Sequence, residues 1–367
     1  MNRLIIVGNG FDLSLGLKTS YKDFLRSYLV QCVNSSFEKK SNIDMNRSKF
    51  YFSDELIDID IPNGFSQVSF NECIESIKTY EELISFFNEK KVINYKFPLL
   101  KEIVKQVSSN SWIDIEIFYY DTLVNLLVGR RSEGTEKVIR DYNNSFNFLK
   151  DKLVQYLKSI DLVERNRRIT EFTFCYEDIM FGIHHLKKDD KVEIKNVMIL
   201  DFNYTSTVDK NLYIPHYDSM NIIHNQIHGN LYEEDSVIFG FGDEHDKNYE
   251  VFESSRSREV FKNIKSVHYF KYKNYKRLKS FIDSDDYEVY IIGHSCGVSD
   301  RTLFNEIFEH KSCKSIRIFH YKSDSKTTDF FEKSIELMRH FKDKVVMRNK
   351  IEPFYDGDVI PQLTIRY

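Results

Sequence analysis

Residues 4–12 read Leu-Ile-Ile-Val-Gly-Asn-Gly-Phe-Asp, and this stretch decides the fold class. The four consecutive aliphatic residues Leu4–Val7 suit a short strand that is buried on both faces, as in a parallel sheet. Gly8 and Gly10 then permit a tight turn in which backbone N–H groups can approach an anion. The stretch predicts the start of a nucleotide-binding α/β fold. Because the third glycine of the dinucleotide fingerprint is missing from its usual place, the rest of the chain must support this interpretation.

The second half of the chain repeats the pattern of a short apolar run followed by a polar or glycine-containing turn. We predict further strands at Val197–Phe202, Ile222–Ile227, Val237–Phe241, Val289–Ile292, Ile316–His320 and Val345–Met347. Residues from about 20 to 190 have mostly helical spacing, although residues 35–71 are polar and predicted to be irregular. The predicted fold is therefore α/β, with a Rossmann-like, mostly parallel sheet. Residues 1–25 and 191–367 form its nucleotide-binding core, and residues 26–190 form a large, mostly helical insertion after the first βα unit.

Composition narrows the class of protein. The chain has 367 residues and a net charge of −4, so it has no general basic field, and nucleic-acid binding is not favoured. Its five cysteines are scattered without a Cys-x-x-Cys pair, which predicts reduced thiols and no structural zinc. We find no signal peptide and no apolar run of membrane-spanning length. The expected location is the cytoplasm, without a membrane partner, and no metal site is predicted.

Polar side chains follow the predicted strands, where the carboxyl ends of a parallel sheet line one crevice. These candidate site residues are Asn9, Asp12, Asn203, Tyr204, His228, His294, Ser295 and Asp300. Each has an ordinary structural alternative, since asparagine favours turns, aspartate caps helices and histidine often only bonds within a loop. Their shared position at one edge of the sheet favours a ligand site.

Five motifs together resemble the bacterial AbiH family of phage abortive-infection proteins. They are Gly8–Asp12, Gly16–Tyr21, Phe202–Thr205, Ile227–Gly229 and Gly293–Ser295. Lys18 stands where the family usually has proline, a small departure in a loop. The resemblance covers nearly the whole chain.

The AbiH family in turn resembles, more distantly, the sirtuin-like NAD-consuming domains. This resemblance implies that the turn formed by Gly8, Asn9, Gly10, Phe11 and Asp12 binds a pyrophosphate and that Gly293, His294 and Ser295 hold the nucleotide. It also implies that Asn203 and His228 act at the glycosidic bond. Thr205 stands where the defence NADases often have aspartate. The sirtuin zinc ribbon is absent, so protein deacetylation is not expected.

The same residues support this chemistry independently. Neutral His228 could act as a general base near pH 7, and the Asn203 amide could orient a water molecule or the ribose. Tyr204 and Asp300 are also expected to contact the nucleotide. A predicted helix start at Ser111–Glu116 could bring Glu116 or Asp114 over the site, although acidic residues in a first turn also suit the helix dipole. We expect Gly10→Val to remove nucleotide binding with little loss of folding.

These observations predict a phage-defence effector that binds and hydrolyses NAD or a related nucleotide at the nicotinamide–ribose bond, as an NAD(P) glycohydrolase would. The alternative is a non-catalytic sensor of NAD or ADP-ribose that acts through assembly. A serine hydrolase also stays open, because Gly293–Gly297 matches Gly-x-Ser-x-Gly and both His320 and His340 follow it. No tightly bound cofactor is expected. The expected partners are the nucleotide, a phage component as trigger and further copies of the chain in a homo-oligomer.

Overall fold

The computed structural model describes residues 1–38, 50–109, 114–129, 134–164, 193–212, 221–233, 235–322 and 327–362. The chain divides into two compact units. The first consists of Met1–Lys18 with Leu157–Tyr367, and the second consists of Thr19–Tyr156. The predicted boundaries, after residues 25 and 190, differ from these.

Eight strands lie in the described part of the chain. They are β1 (Asn2–Val7), β2 (Tyr51–Ser53), β3 (Ile57–Asp60), β4 (Ile93–Tyr95), β5 (Asn196–Asp201), β6 (Asn221–Gln226), β7 (Tyr287–Ile292) and β8 (Cys313–Phe319). Fourteen α-helices are described with them. They are α1 (Asn9–Ser14), α2 (Tyr21–Glu38), α3 (Gln67–Ser76), α4 (Tyr80–Glu89), α5 (Pro98–Ser109), α6 (Ile115–Gly129), α7 (Thr135–Glu164), α8 (Thr207–Asn211), α9 (Tyr249–Glu253), α10 (Lys265–Tyr269), α11 (Asn274–Ser284), α12 (Arg301–Glu309), α13 (Phe330–Met338) and α14 (Lys344–Lys350).

The first unit is built on a five-stranded parallel sheet with the order β6-β5-β1-β7-β8. Numbered by their sequence within this sheet, the strands run 3-2-1-4-5, which is the order of a doubly wound Rossmann-like sheet. The predicted α/β fold class is therefore confirmed. The order reverses between β1 and β7, and in such sheets the ligand crevice lies at that switch point, outside the carboxyl ends of the strands.

Both faces of the sheet are buried, as the aliphatic run in β1 predicted. On one face Leu4 and Ile6 join an apolar core with residues of α11 and α12, including Phe281 and Phe304. On the other face alternate residues of the same strand join a second core with Phe11 of α1. Each fully buried aliphatic side chain contributes about 1.5–3 kcal/mol to stability. The continuous apolar run is therefore what fixes β1 at the centre of the sheet.

The second unit combines α2 to α6 and most of α7 with a small antiparallel sheet in the order β2-β3-β4. The start of its helix α4 is specified by two residues close together in the sequence, Thr79 and Glu82. The Thr79 hydroxyl accepts from the Glu82 N–H at 3.2 Å, and the Glu82 carboxylate accepts from the Thr79 N–H at 3.1 Å. This reciprocal capping box starts the helix at Tyr80.

Five of the predicted core strands, Leu4–Val7 among them, lie in the parallel sheet, and two predicted strands do not exist. Val237–Phe241 is irregular, and its Phe241 makes only an isolated bridge to Ile264. Val345–Met347 lies within α14, because the Asp343 side chain accepts from the Val345 and Val346 N–H groups and caps a helix there. The β-branched residues Val345 and Val346 favour a strand, but the cap formed by Asp343 starts a helix at this position.

The prediction of irregular structure for residues 35–71 was wrong for much of its described part, which contains the end of α2, β2, β3 and the start of α3. Its residues 39–49 lie outside the described residues, as do residues 165–190 of the region with predicted helical spacing. The strands were missed because they are only three and four residues long. Alternation over so few residues is a weak periodic signal.

Candidate functional site

The turns that follow β1 and β7 pack backbone against backbone at the switch point. The Gly10 N–H donates to the Gly293 carbonyl at 2.8 Å, and the Gly8 N–H donates to the Ile292 carbonyl at 3.1 Å. A Cβ atom added to Gly10 would lie 2.7 Å from the Gly293 Cα. Gly293 has φ +67°, and a Cβ atom there would lie 2.3 Å from the Phe11 N. Glycine at these positions therefore lets the two turns touch.

This packing changes the physical meaning of the Gly-x-Gly motif. The N–H groups of Gly8 and Gly10 donate within the protein, and the Phe11 N–H donates to the Gly8 carbonyl at 2.8 Å. These N–H groups are therefore not free to bind a pyrophosphate, although the resemblance implied that this turn does so. The Phe11 side chain is buried in the apolar core. Contact of a ligand with Gly8, Asn9, Gly10, Phe11 or Asp12 through other atoms stays a prediction.

Asp12 is the centre of a buried polar cluster between β1 and β5, which we call the Asp12 cluster. The Thr207 and Thr205 hydroxyls donate to its two carboxylate oxygens at 2.6 and 2.7 Å. The Asn203 Nδ2 group donates to the same carboxylate at 3.3 Å. Burial raises the pKa of Asp12 to about 7, against the opposing effect of the two threonine hydrogen bonds. The carboxyl group can therefore take up or release a proton near neutral pH.

Asn203 connects this cluster to the turn after β1. Its Nδ2 group also donates to the Gly8 carbonyl at 3.2 Å, and its backbone N–H donates to Asp201 at 2.9 Å. The Oδ1 atom accepts no hydrogen bond from the described residues, so it can accept one from a ligand or water. The neighbouring Tyr204 hydroxyl donates to the Ile238 carbonyl at 2.9 Å.

His228 belongs to a second buried group, which we call the His228 cluster. Its Nε2 lies 3.3 Å from an Asp300 carboxylate oxygen and 3.1 Å from the Tyr269 hydroxyl. The Lys265 ammonium group lies 2.8 Å from the same Asp300 oxygen, and its side chain is only 1% exposed. The cluster is therefore a buried cation, anion and imidazole in a row.

The charges of this cluster fix the state of the imidazole. Burial works against ionisation of Asp300, but the charge of Lys265 and the hydrogen bond with His228 hold the pKa of its carboxyl well below the usual range. Burial lowers the pKa of His228, although Asp300 opposes the shift, so the ring is neutral at pH 7. Because an ionised carboxylate only accepts, the proton of the neutral ring lies on Nε2. Nδ1 is left as the acceptor, and it makes no hydrogen bond to any residue that the structure describes.

His294 has an aromatic environment. Its ring packs edge-on against Phe202 and Phe304, with centroid distances of 4.2 and 5.1 Å. Its Nδ1 accepts from the Cys296 N–H at 2.9 Å. Burial lowers the pKa of His294 to about 3, so the ring is neutral. These contacts give His294 a packing role, and its predicted contact with a nucleotide stays a prediction.

The structure thus places the two predicted catalytic residues in different clusters. Phe202 and Asn203 are adjacent in the chain, yet Phe202 packs against His228 at 5.0 Å, whereas Asn203 bonds Asp12. Phe202 belongs to one face of the sheet and Phe11, next to Asp12, to the other. Two adjacent residues that follow β5 therefore contact different clusters, Phe202 the ring of His228 and Asn203 the carboxylate of Asp12.

Glu116 lies on α6 in the second unit, where the Asp114 carboxylate accepts from the Glu116 and Ile117 N–H groups at 3.1 and 3.2 Å. Asp114 therefore caps this helix. Trp112, part of the same predicted helix start, lies outside the described residues. The predicted role of Glu116 at a nucleotide stays a prediction.

Sequence reasoning missed Lys265, Tyr269 and Thr207. Lys265 lies in a mixed polar and apolar stretch between Ile264 and Ser266, and nothing in the local sequence marks a buried cation. Thr207 has a usable signal, because Thr205 and Thr207 follow Asn203 at alternate positions and present hydroxyl groups on one side.

The serine hydrolase alternative lacks its base. Ser295 makes no hydrogen bond to a histidine within the described ranges, and the His340 Nε2 lies instead 2.7 Å from the Cys296 carbonyl. A nucleophile elbow joins a strand directly to a helix. Here residues 294–297 are irregular, and α12 begins only at Arg301.

The described residues offer neither a metal site nor a membrane-spanning helix. They contain no group of three or more histidine, cysteine, aspartate or glutamate side chains placed to hold a metal ion. None of their helices is both long and apolar enough to cross a membrane.

Comparison with known proteins supplies the family. No curated protein matches the chain. The model of the family described as bacteriophage abortive infection AbiH matches residues 4–322, which is most of the chain and includes both clusters. The protein therefore belongs to the AbiH family, whose described role is bacteriophage abortive infection.

Proposed function

We propose that this AbiH protein binds NAD or a related nucleotide at the carboxyl edge of its parallel sheet and hydrolyses the nicotinamide–ribose bond. The observation that carries the proposal is the His228–Asp300–Lys265 row, in which no described residue forms a hydrogen bond with Nδ1 of the neutral imidazole. Burying three ionisable groups is costly unless they are paired, and such groups concentrate at functional sites. This row lies at the edge where sheets of this order bind ligands.

His228 is the proposed general base. Asp300 accepts the Nε2 proton and orients the ring, and Lys265 keeps Asp300 ionised. In the hydrolysis, a water oxygen forms a bond to the ribose C1′ while the C1′–nitrogen bond breaks and neutral nicotinamide leaves. The water proton goes to Nδ1 of His228. A positioned base of this kind typically accelerates a reaction by roughly 10²–10⁴-fold.

The Asp12 cluster is proposed to bind the ribose. Asn203 Oδ1 is a free acceptor for a ribose hydroxyl, and its position is fixed by hydrogen bonds from Nδ2 to Gly8 and Asp12. The Asp12 carboxyl, which accepts from Asn203 Nδ2, stabilises the positive charge that develops on the ribose. Holding the substrate in this orientation reduces the barrier by restricting its motion before reaction.

The nucleotide is a substrate in this proposal, and no tightly bound cofactor takes part. A phage component would trigger the activity, and the protein would act in the cytoplasm as a homo-oligomer. The composition, with a net charge of −4, supports a small anionic ligand over a nucleic acid.

One observation favours the alternative, a non-catalytic sensor. The turn after β1 contacts the turn after β7 through Gly10 and Gly293. A nucleotide phosphate that binds between these turns would have to move them apart. Binding would then change the relative position of β1 and β7. A change of that kind could be transmitted to an assembly surface without any chemistry.

The experiment is to incubate the purified protein with NAD, NADP and ATP and to measure released nicotinamide. We expect release from the dinucleotides, and a loss of roughly a hundredfold or more in His228→Ala, because the base is removed. Asn203→Ala should also lower turnover, and the double variant should lose far less than the product of the two effects if both residues serve one step. His245→Gln, an exposed histidine in the same unit, is the matched control.

The sensor predicts a different result. Wild-type protein would release no nicotinamide, and His228→Ala would change only nucleotide affinity or assembly. That outcome would remove the hydrolase proposal.

A further inference from the structure

A cleft of about 640 Å³ lies along α11, beside the sheet edge formed by β6. This volume falls within the usual range for small-molecule sites, roughly 300–1,000 Å³. Its apolar residues are Met198, Ile223 and Phe281, of which Met198 and Phe281 are buried in the core of this sheet face. Neither the Asp12 cluster nor the His228 cluster contributes a residue to it.

Three cationic side chains at the N-terminal end of this helix line the same cleft: Lys273, which is the N-cap residue, Lys276 and Arg277. Their spacing of three and four residues places them on one side of the helix. All three are exposed, and none makes a side-chain hydrogen bond or ion pair within the described part of the chain. By contrast, Lys279 of the same helix lies 2.8 Å from Glu306.

The remaining described residues of the lining are neutral. Asn196 and Ser284 are both tied to Asn2, with hydrogen bonds of 2.8 and 3.0 Å. Asn221 and Ser280 are exposed and keep their side-chain groups free of partners among the described residues. Among the described residues, the cleft therefore combines three cations and two polar side chains without partners with an apolar floor, and none of its described lining residues is a carboxylate.

We propose that this cleft binds a phosphate-bearing small molecule with an apolar body, the class to which nucleotides belong. Lysine and arginine are the side chains that bind phosphate oxygens, and arginine does so through two parallel hydrogen bonds. The floor formed by Met198, Ile223 and Phe281 would cover the base or another apolar group. A small ligand is favoured over a nucleic acid because the chain as a whole is acidic.

This site is separate from the proposed hydrolytic one. Asn196 and Asn221 are the first residues of β5 and β6, whereas Asn203 and His228 follow the ends of those strands. A six-residue strand spans roughly 20 Å at about 3.3 Å per residue. The nucleotide in this cleft would be a second ligand, and its binding does not depend on whether the protein hydrolyses NAD.

Photo-crosslinking with 2-azido-ADP, followed by mass spectrometry of the labelled peptides, tests the assignment on the full chain. We expect label in the peptides that contain Asn221–Ile223 or Lys273–Ser284. The labelling there should fall at least fivefold in the Lys276→Gln/Arg277→Gln double variant, and it should fall as salt is raised, because exposed cations are screened. Lys279→Gln, which removes a cation of the same helix that is paired outside the cleft, should label like the wild type. Thermal unfolding of each variant establishes that it is folded.

Competition decides the ligand class. Unlabelled ADP should compete at least tenfold better than inorganic pyrophosphate, because pyrophosphate cannot use the apolar floor. Equal competition by the two, or stronger competition by a single-stranded oligonucleotide, would overturn the assignment to nucleotides. Label confined to peptides of the carboxyl edge, or unchanged in the folded double variant, would overturn the site itself. Absence of NAD hydrolysis would leave all these expectations in place.

Discussion

Gly10→Ala should destabilise the protein, because the two turns at the switch point already touch. The added Cβ atom would lie 2.7 Å from the Gly293 Cα and 2.8 Å from its carbonyl oxygen, where ordinary contact begins at about 3.4 Å. Both neighbours are backbone atoms at the centre of the sheet, so they cannot rotate away. Overpacking of this kind costs roughly 1–3 kcal/mol. We expect a loss of about 2 kcal/mol for alanine and a larger one for Gly10→Val.

Gly293→Ala should be worse than Gly10→Ala. Its Cβ atom would lie 2.3 Å from the Phe11 N, and φ +67° adds the cost of a left-handed conformation, roughly 1–2 kcal/mol. Gly129→Ala is the control, since no described residue lies within 4 Å of a Cβ atom at that position. The sequence-based expectation that Gly10→Val leaves folding nearly intact is replaced by this geometry.

Urea denaturation followed by circular dichroism measures these effects. With a denaturant slope of about 3 kcal/mol per molar, a loss of 2 kcal/mol moves the midpoint of unfolding down by roughly 0.7 M. Gly129→Ala should stay close to wild type. A Gly10→Ala protein with the wild-type midpoint would show that the turns after β1 and β7 do not pack against each other, and our explanation of the glycine motif would be refuted.

Three further predictions concern buried charges. Lys265→Met should destabilise the protein by about 3–5 kcal/mol, because it leaves Asp300 charged and unpaired, and adding Asp300→Asn should recover part of the loss; equal urea midpoints for the single and double variants would contradict this. Asp201 and Asp209 raise the pKa of His224 from 6.5 to about 9 against the effect of burial, so its contribution to stability is complete below pH 6.5 and is lost as the pH rises through 9. The difference in urea midpoint between wild type and His224→Gln should therefore shrink from pH 6.5 to pH 9.5, and a constant difference would count against it. Burial raises the pKa of Asp12 from 3.8 to about 7, so wild type should lose stability relative to Asp12→Asn between pH 5 and pH 8, whereas parallel midpoints would show an Asp12 that stays ionised.

The sequence predicted the sheet well because the sheet depends on local patterns. The run Leu4–Val7 is apolar without interruption, and only a strand covered on both faces buries all four side chains at once. The same reasoning located the strands that contain Val197, Ile222, Val289 and Ile316. It failed at Val345. There the helix cap formed by Asp343, two residues earlier, outweighed the strand preference of the β-branched residues.

The site was less predictable because its contacts join distant parts of the chain. A Gly-x-Gly turn that binds phosphate and one that packs against another turn have the same sequence, and only the position of Gly293 separates them. Alternation along the strand did contain the information that Phe202 and Asn203 point to opposite faces. The burial of Lys265 beside Asp300 joins residues 35 positions apart and has no local signature.

Hydrolysis of NAD by the His228 cluster is tested most directly by the NAD content of phage-infected cells that express this protein. If the His228–Asp300–Lys265 row hydrolyses NAD as the effector step, NAD should fall after infection in cells with wild-type protein. It should stay at the uninfected level in cells with an equal amount of folded His228→Ala protein, which should also lose protection against phage. Wild-type protein that protects cells from phage while NAD, NADP and ATP stay constant throughout infection would contradict the claim.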